Sequence, residues 1–409
     1  MKIMQINCVY KNGSTGKIVY DIHTELKNSG IDSVVCYGNG PRVSEKNVYK
    51  LASKPYEKLN ALTSRITGLM YGGCLFSTKK LIKIIKKENP DIVHLHCING
   101  HFVNIYKIVE FLKNSNIKTV LTLHAEIMHT ANCEHAFDCE KWKTGCGKCP
   151  RVRQVTNSWF FDATHKSWTK MKKAFDGFND NLIVTSVSPW LMERAKQSPI
   201  LADKNHTVVL NGLDTSTFTP YDTKDLKDKH GITNEKIIFH ATPNFNNDPN
   251  HTKGGYYIIE LAKMLANDNV KIIVAGSYDQ SIEIPSNVIM LGRVSNQREL
   301  ARYYSLADLT VLTSKRETFS MVVAESLCCG TPVVGFMAGG PEQIAIKKHS
   351  AFVEYANTQA LYNEAIKMLN IESNKNEISE KAKKIYSQQR MAKEYVNIYE
   401  KSVENIFKN

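Results

Sequence analysis

Residues 314–344 read SKRETFSMVVAESLCCGTPVVGFMAGGPEQI, and the apolar run Leu309 to Leu312 stands just before them. That run predicts a buried parallel strand. Thr318 or Ser320 is placed to cap a helix running to about Cys329, and Gly330-Thr331-Pro332 stops it. Val333 to Phe336 predicts the next strand, and Gly339-Gly340-Pro341-Glu342 a glycine turn opening another helix. Glu317 then stands in the loop at a strand's carboxyl end, and Glu325 about two turns into the helix. Amides at a helix start grip phosphate, and carboxylates accept hydrogen bonds from hydroxyls. The pattern suits a ligand that is part sugar and part diphosphate.

This stretch resembles the Glu-x7-Glu signature of retaining family 4 glycosyltransferases of the GT-B fold. The resemblance implies that Glu317 contacts hydroxyls of a donor sugar and Glu325 the nucleotide ribose. It also implies that amides around Thr318, Phe319, Ser320 and Met321 hold the sugar and diphosphate. Read without the resemblance, the same residues are a solvated helix with two unrelated glutamates.

At 409 residues the chain is long enough for two domains. Its 42% apolar and 23% charged residues are those of an ordinary globular protein. Met1 to Tyr10 is too short and broken for a secretory signal, and no run approaches the ~20 apolar residues of a membrane span. A cytoplasmic protein is expected, peripheral at most on the inner face of the plasma membrane. The net charge of +13 is uneven: residues 1–210 carry 30 Lys/Arg against 17 Asp/Glu, and residues 211–409 carry 23 of each. The first half is therefore suited to an anionic partner such as a phospholipid surface, a lipid diphosphate or nucleic acid. Thr78–Lys87 and His165–Phe175 combine lysines with apolar residues and read as basic amphipathic helices able to lie on an anionic membrane. The alternative is a lysine-rich solvated face over an ordinary core stripe.

Apolar runs alternate with helical patterns along the whole chain, which predicts parallel sheets in an α/β architecture. Six strands fall in the first half, at Lys2–Cys8, Ser33–Tyr37, Asp91–Leu95, Lys118–Leu123, Leu182–Val187 and Thr207–Leu210. Six more fall in the second, at Lys236–Ala241, Val270–Ala275, Asn287–Leu291, Leu309–Leu312, Pro332–Phe336 and Ala351–Glu354. Two Rossmann-like domains facing a cleft are the expectation: 1–211, with a cysteine-rich insertion at about 129–150, and a nucleotide-sugar-binding 212–385. The linker Asn211-Gly212-Leu213-Asp214 to Phe218-Thr219-Pro220 resembles the family's interdomain Asn-Gly-x-Asp-x-x-x-Phe-x-Pro. A last helix, roughly Glu377 to Phe407, is expected to cross back so that 386–409 packs on the first domain, as the resemblance implies.

In open α/β sheets ligands bind outside the carboxyl ends of the strands, so the residues there decide the chemistry. Asn12-Gly13-Ser14-Thr15-Gly16-Lys17 is a small-residue turn into a helix, and it lacks the spacing of a Walker loop. The resemblance matches Gly16 to a glycine lying against the donor diphosphate and acceptor. Thr122-Leu123-His124-Ala125-Glu126 ends another strand, where His124 can donate to a sugar hydroxyl or bias the local charge, the alternative being a histidine satisfied by backbone groups. The family's Thr-x-His-Asp has Ala125 here in place of Asp, with Glu126 as a substitute carboxylate. His94 and His96 read as structural. In the second half the resemblance matches Lys253 to the lysine that neutralises the diphosphate, and no arginine partner is evident; Asn244, His251 or Thr252 is placed to fill in for it, Asn244 as a donor-binding residue. Val294 matches a backbone contact to the nucleobase.

Cys133, Cys139, Cys146 and Cys149 are spaced x5, x6 and x2, with a Cys-Gly-x-Cys knuckle consistent with tetrahedral structural zinc. Free thiols are the alternative, since disulfides are disfavoured in a reducing compartment. A similar insertion occurs in the colanic-acid-type members that the chain resembles, among transferases building bacterial surface polysaccharides such as capsule and O-antigen. The other six cysteines read as core.

The expected activity is retaining transfer of a hexose-type unit from a UDP- or GDP-linked donor. The acceptor is a growing glycan or a polyprenyl-diphosphate-linked one. There is no Asp-x-Asp motif, so no catalytic metal or other cofactor is implied. Lys253, His124 and Glu317 are the candidate catalytic residues, and no general base is assigned. The rival readings are a nucleotide-sugar 2-epimerase of the same fold and a zinc-containing nucleic-acid-binding module. The second leaves the neutral half unexplained, so no nucleic-acid partner is expected.

Overall fold

The computed structural model describes residues 1–404. It divides into two compact units, 1–211 together with Met391 onward, and 212–390. The first unit holds β1 (Lys2–Val9), β2 (Asp32–Asn39), β3 (Val48–Lys50), β4 (Ile92–Leu95), β5 (Lys118–Leu123), β6 (Leu182–Ser186) and β7 (Asn205–Val208). They form one sheet in the order β3-β2-β1-β4-β5-β6-β7, and every pairing is parallel. The second unit holds β8 (Lys236–Phe245), β9 (Val270–Tyr278), β10 (Val288–Gly292), β11 (Leu309–Leu312), β12 (Val333–Phe336) and β13 (Ser350–Val353). Their order is β10-β9-β8-β11-β12-β13, again all parallel.

Helices covering both faces explain why these strands read as unbroken apolar runs rather than alternating ones. Every residue of β4, β11 and β12 is buried. The strand β3, which the sequence pattern does not announce, is three residues long with only Val48 buried. In both sheets the strand order reverses once, between β1 and β4 and between β8 and β11. Those switch points are where a doubly wound sheet opens a crevice at its carboxyl edge.

The expected last helix is two helices, Lys375–Tyr386 and Gln388–Glu404; residues 405–407 of the expectation lie outside the described residues. The break comes from Leu213, whose N–H donates to the Tyr386 carbonyl at 2.8 Å and whose carbonyl accepts from Gln388 N–H at 3.0 Å. Ser387 is extended there. Gly212 is required beside it, because a Cβ would stand 2.6 Å from the Gln388 Cα. Asp214 closes the turn by accepting from the Ser216 amide and the Thr217 hydroxyl.

From Met391 onward the last helix packs into the first unit's core. Met391, Tyr395 and Tyr399 join Ile3, Ile18, Ile92 and Val120 in one buried cluster. Tyr399 Oη lies 2.6 Å from His94 Nδ1, and Tyr395 Oη lies 2.9 Å from Thr122 Oγ1. His94 Nε2 is in turn 2.7 Å from Thr122 Oγ1.

Two expectations about surfaces are corrected. The Leu75–Glu88 helix buries Leu81, Ile84 and Ile85, and the Thr164–Phe175 helix buries Trp168 and Phe175. Over Thr78–Lys87 and His165–Phe175 the apolar sides are therefore core, and the lysines are what faces solvent. Neither stretch offers an apolar face to a membrane. Among the described residues no helix is long and apolar enough to cross one. Of the cysteines expected in the core, Cys36, Cys74, Cys328 and Cys329 are buried, whereas Cys8 and Cys97 are half-buried, side by side through a Cys8 N–H to Cys97 carbonyl bond of 2.7 Å.

Removing a buried hydroxyl that bonds a buried imidazole leaves that nitrogen unpaired, at a cost of about 1–3 kcal/mol. Tyr399→Phe should therefore lower unfolding stability by about that amount, read as a drop in urea midpoint without a change in slope.

Candidate functional site

The second unit gathers most of the predicted residues at its switch point. The loop after β11 is held by backbone bonds to the turn after β12. Glu317 N–H donates to Ala338 O and Gly340 N–H to Glu317 O, each at 3.0 Å. Gly340 is needed for this approach, since a Cβ would meet the Thr318 carbonyl at 2.3 Å. Glu342 fixes the turn by accepting from the Ala338 and Gly339 amides. Thr318, Phe319 and Ser320 thus lead directly into the Met321–Cys328 helix.

Ser320 sits at the N-cap position but does not cap by its side chain as expected. Its φ is +80°, a region that non-glycine residues seldom occupy. Its hydroxyl is buried without a hydrogen-bond partner. Strained backbone of this kind concentrates where a site is pre-organised. The first-turn amides of the helix have no intrahelical acceptor, so this corner is suited to an anion.

Lys253 lies in the loop between β8 and the Gly255–Met264 helix. Its loop is tied to the β11 end, where Lys315 N–H donates to Thr252 O at 2.8 Å and Thr313 Oγ1 to Lys253 O at 3.2 Å. Lys253 Nζ donates to Glu317 Oε1 at 2.6 Å, with both side chains partly exposed. The two predicted residues are therefore ion-paired with each other. Chemically the pair offers an ammonium to a phosphate and a carboxylate to hydroxyls from one spot.

Glu325 lines an adjoining cavity of about 480 Å³, with Thr242, Gly276, Arg293, Val294 and Tyr304 among its walls. The volume is in the range of small-molecule sites, roughly 300–1,000 Å³. Tyr304 Oη donates to Glu325 Oε2 at 3.1 Å. Burial first, and the Glu325 carboxylate second, push the Tyr304 hydroxyl well above its usual range. Tyr304 is thus a neutral donor that orients the carboxylate. Val294 lines the same cavity. Asn244 is not among its lining residues and is exposed beyond Pro243.

Arg293, Thr242 and Tyr304 were not singled out by sequence reasoning. Arg293 directly follows the glycine that ends β10, a signal available in the sequence. Tyr304 reads there as one more apolar position of a helix.

Gly16 and His124 belong to the first unit. Gly16 is buried in the first turn of the Gly13–Asn28 helix, and its carbonyl accepts from Lys11 N–H at 3.0 Å. His124 follows β5, its Nε2 3.2 Å from His96 Nδ1. His96 in turn stacks near His94, with ring centroids 3.8 Å apart. Burial holds His124 down at about 4 and His94 and His96 well below their ordinary value. His124 is accordingly a neutral imidazole near pH 7, able to bond a hydroxyl but not to supply positive charge. Glu126 does not replace the missing carboxylate. It is fully buried and ion-paired to Arg194, and its other oxygen accepts from the Ala136 amide. Burial pushes its carboxyl up, but the His129 hydrogen bond and the Arg194 charge outweigh that and hold it at about 2.

The cysteine-rich insertion builds a small core of Cys133, Ala136 and Trp142, with Cys146 and Val155 packed against it. Burial first, and the neighbouring cysteine thiols after it, push the Cys133 thiol up to about 12, and burial pushes Cys146 up to about 11. No group of three or more His, Cys, Asp or Glu side chains among the described residues is arranged to hold a metal ion. As they stand, the four cysteines do not fit the expected zinc. The insertion is fastened instead by Arg194, which lies over the Trp142 ring at 5.1 Å, and by Trp168 Nε1 donating to Trp142 O at 2.9 Å.

Two family models match the chain: Glycosyltransferase Family 4 over residues 15–217 and Glycosyl transferases group 1 over residues 222–385. WcaC of Escherichia coli (strain K12), named for colanic acid biosynthesis glycosyl transfer, is 22% identical over 415 residues, covering 98% of this chain and 100% of that protein. Sucrose-phosphate synthase (tll1590) from Thermosynechococcus elongatus superposes with a TM-score of 0.71 at 15% identity, over 99% and 100% of the two chains. Anabaena Alr3699/HepE, solved with UDP and glucose, has a TM-score of 0.64 at 15% identity, over 97% and 99%. The two structures share the GT-B fold with this chain.

Two buried histidines, His94 and His96, and the half-buried His124, all with lowered proton affinity, set a pH dependence. Below the ordinary value near 6.5 the unfolded chain binds protons that the folded chain does not, down to about 4 in the case of His124. The stability the three contribute is complete above about 6.5 and is lost as pH falls below it. Glu126 contributes in a lower window, its stability being lost as pH falls towards about 2. Urea midpoints should fall from pH 7 to pH 5, and His96→Asn should flatten that fall. An unchanged slope would contradict the assignment.

Proposed function

Because the chain belongs to glycosyltransferase family 4, we propose that it transfers a hexose-type unit, with retention, from a nucleotide-sugar donor to a lipid-linked or growing surface-polysaccharide acceptor. The observation that carries this is the side-by-side placement of the Lys253–Glu317 pair, the Thr318–Met321 helix start and the Glu325 cavity on one unit. A nucleoside fits the cavity, with Glu325 accepting from ribose hydroxyls and the backbone at Val294 meeting the base. The diphosphate takes the helix start and Lys253, and Glu317 turns to the sugar hydroxyls. As the anomeric bond breaks, charge grows on the leaving diphosphate, where fixed amides and an ammonium stabilise it. The leaving phosphate helps to deprotonate an acceptor hydroxyl attacking from the same face, so no protein base is assigned. His124, a neutral imidazole, takes the role of orienting the donor sugar, and Gly16 that of giving the diphosphate and acceptor a close backbone approach.

UDP or GDP linkage of the donor is supported by the family resemblance, and the UDP-bound relative of like fold is in keeping with it. A surface-polysaccharide acceptor is supported by the likeness to WcaC over nearly the whole chain. A lipid-linked acceptor places the enzyme peripherally at the inner face of the plasma membrane, in keeping with the basic first half.

A thermal-shift panel of UDP, GDP, ADP and CMP, each with and without common sugars, tests the donor site. A ligand at 100 times its Kd stabilises the folded state by about 2.7 kcal/mol. One nucleotide should shift the melt, and Glu325→Ala should abolish the shift; no shift with any nucleotide would remove the reading.

Glu317→Gln should lower turnover about a hundredfold or more, in line with lost transition-state hydrogen bonds, while the melting temperature moves little. Turnover of the unsubstituted enzyme should persist in EDTA. A large loss of stability with normal turnover would reject the role given to Glu317.

A further inference from the structure

Eleven large hydrophobic side chains are exposed among the described residues, and eight of them lie in three segments of the first unit. Leu59, Leu62 and Ile66 form one stripe, at spacings of three and four, on the Lys54–Thr67 helix. Trp159, Phe160 and Phe161 are 50–70% exposed, and Leu75 and Phe76 open the next helix, Phe76 being 78% exposed.

These segments are joined. Trp159 N–H donates to Arg65 O at 2.8 Å, and the Phe161 carbonyl lies against Gly68, just past the helix end. At the other end of the same helix, Phe76 N–H donates to Tyr56 Oη at 3.2 Å. The helix therefore runs from one exposed aromatic group to the other with an uncovered apolar stripe between them.

The charges around it are mainly positive, with Asp162 an exposed acid beside Phe161, its carboxylate accepting from the Cys149 and Thr164 amides. Lys54, Lys58 and Arg65 are the exposed charged residues of the helix, and its one acid, Glu57, is buried. Beside its first turn opens a cavity of about 1,090 Å³, whose walls include Tyr56 and Phe76 together with Arg42, Lys46, Lys50 and Lys80. The acid among those walls, Glu45, is ion-paired to Lys11.

We propose that this face, the Leu59–Leu62–Ile66 stripe with Phe76 and Trp159–Phe161, docks the protein on an anionic phospholipid bilayer. Aromatic and aliphatic side chains enter the interface, the lysines and arginines meet the headgroups, and the basic cavity receives a lipid phosphate. Charge complementarity favours a bilayer over a protein surface: an apolar stripe bordered by Lys54, Lys58 and Arg65 and by the lysines and arginine of the cavity suits a negatively charged interface, whereas a second copy of the same basic face would repel it. The inference deepens the lipid-linked-acceptor reading and rests on it for the choice of a bilayer. Vesicle binding needs neither donor nor turnover, so it fails or holds separately from the nucleotide test.

The experiment is co-sedimentation of the full chain with vesicles of phosphatidylglycerol and phosphatidylcholine, or of phosphatidylcholine alone, with light scattering of the free protein. Binding should be at least about tenfold tighter to the anionic vesicles, as their attraction for basic residues implies. Phe160→Ser with Phe161→Ser should weaken it by about tenfold or more, since two aromatic contacts with the bilayer are lost, without lowering the melting temperature, since both rings are exposed in the free protein. Trp159, the most exposed of the four tryptophans, should shift its emission to the blue on binding, a shift lost in Trp159→Phe. Absence of binding to either vesicle, binding unaffected by the double variant, or a dimer that the double variant dissociates would each overturn the proposal.

Discussion

The short backbone pairing between Glu317 and the Ala338–Gly340 turn is the constraint on which the second unit's chemistry depends. Two hydrogen bonds hold the loop after β11 against the turn after β12, and Glu342 caps the turn from below. That clamp fixes where Glu317 emerges, paired with Lys253, and the loop then passes through the positive-φ Ser320 into the following helix. The backbone of the corner is thereby held in place, which is one condition for a pre-organised electrostatic site.

The first unit has a comparable constraint of a different kind. Its candidate histidine is positioned by a column of buried polar rings, His124 on His96 on His94, which ends at Thr122, Tyr395 and Tyr399. Burial keeps the column neutral. The cost is a sensitivity to acid that an apolar column would not have.

Much of this was legible in the sequence because the informative features are local. Parallel strands covered on both faces announce themselves as apolar runs, and the spacing of Glu317, Glu325 and the glycine turn is set within a few dozen residues. What stayed illegible depends on partners far apart in the chain. The Lys253–Glu317 pair joins residues 64 positions apart, and the Arg194 partner of Glu126 is 68 positions away. The lysine-rich helices at 75–88 and 164–175 show why amphipathic pattern alone misleads. Any helix on a core carries such a stripe, and only packing says which stripe is left uncovered. That turned out to be the one on the Lys54–Thr67 helix, where polar residues interrupt the apolar positions.

The packing of the last helix has a consequence for synthesis. The second unit is one continuous stretch and can form its core as soon as it has left the ribosome. The first unit is not: His94 waits for Tyr399, 305 residues later, and Ile3, Ile18 and Val120 wait for Met391 and Tyr395. At roughly 5–20 residues per second the interval from residue 211 to 391 is on the order of ten to forty seconds. For that time the nascent amino-terminal sheet carries an open apolar flank, so the part of the protein made first is the part completed last.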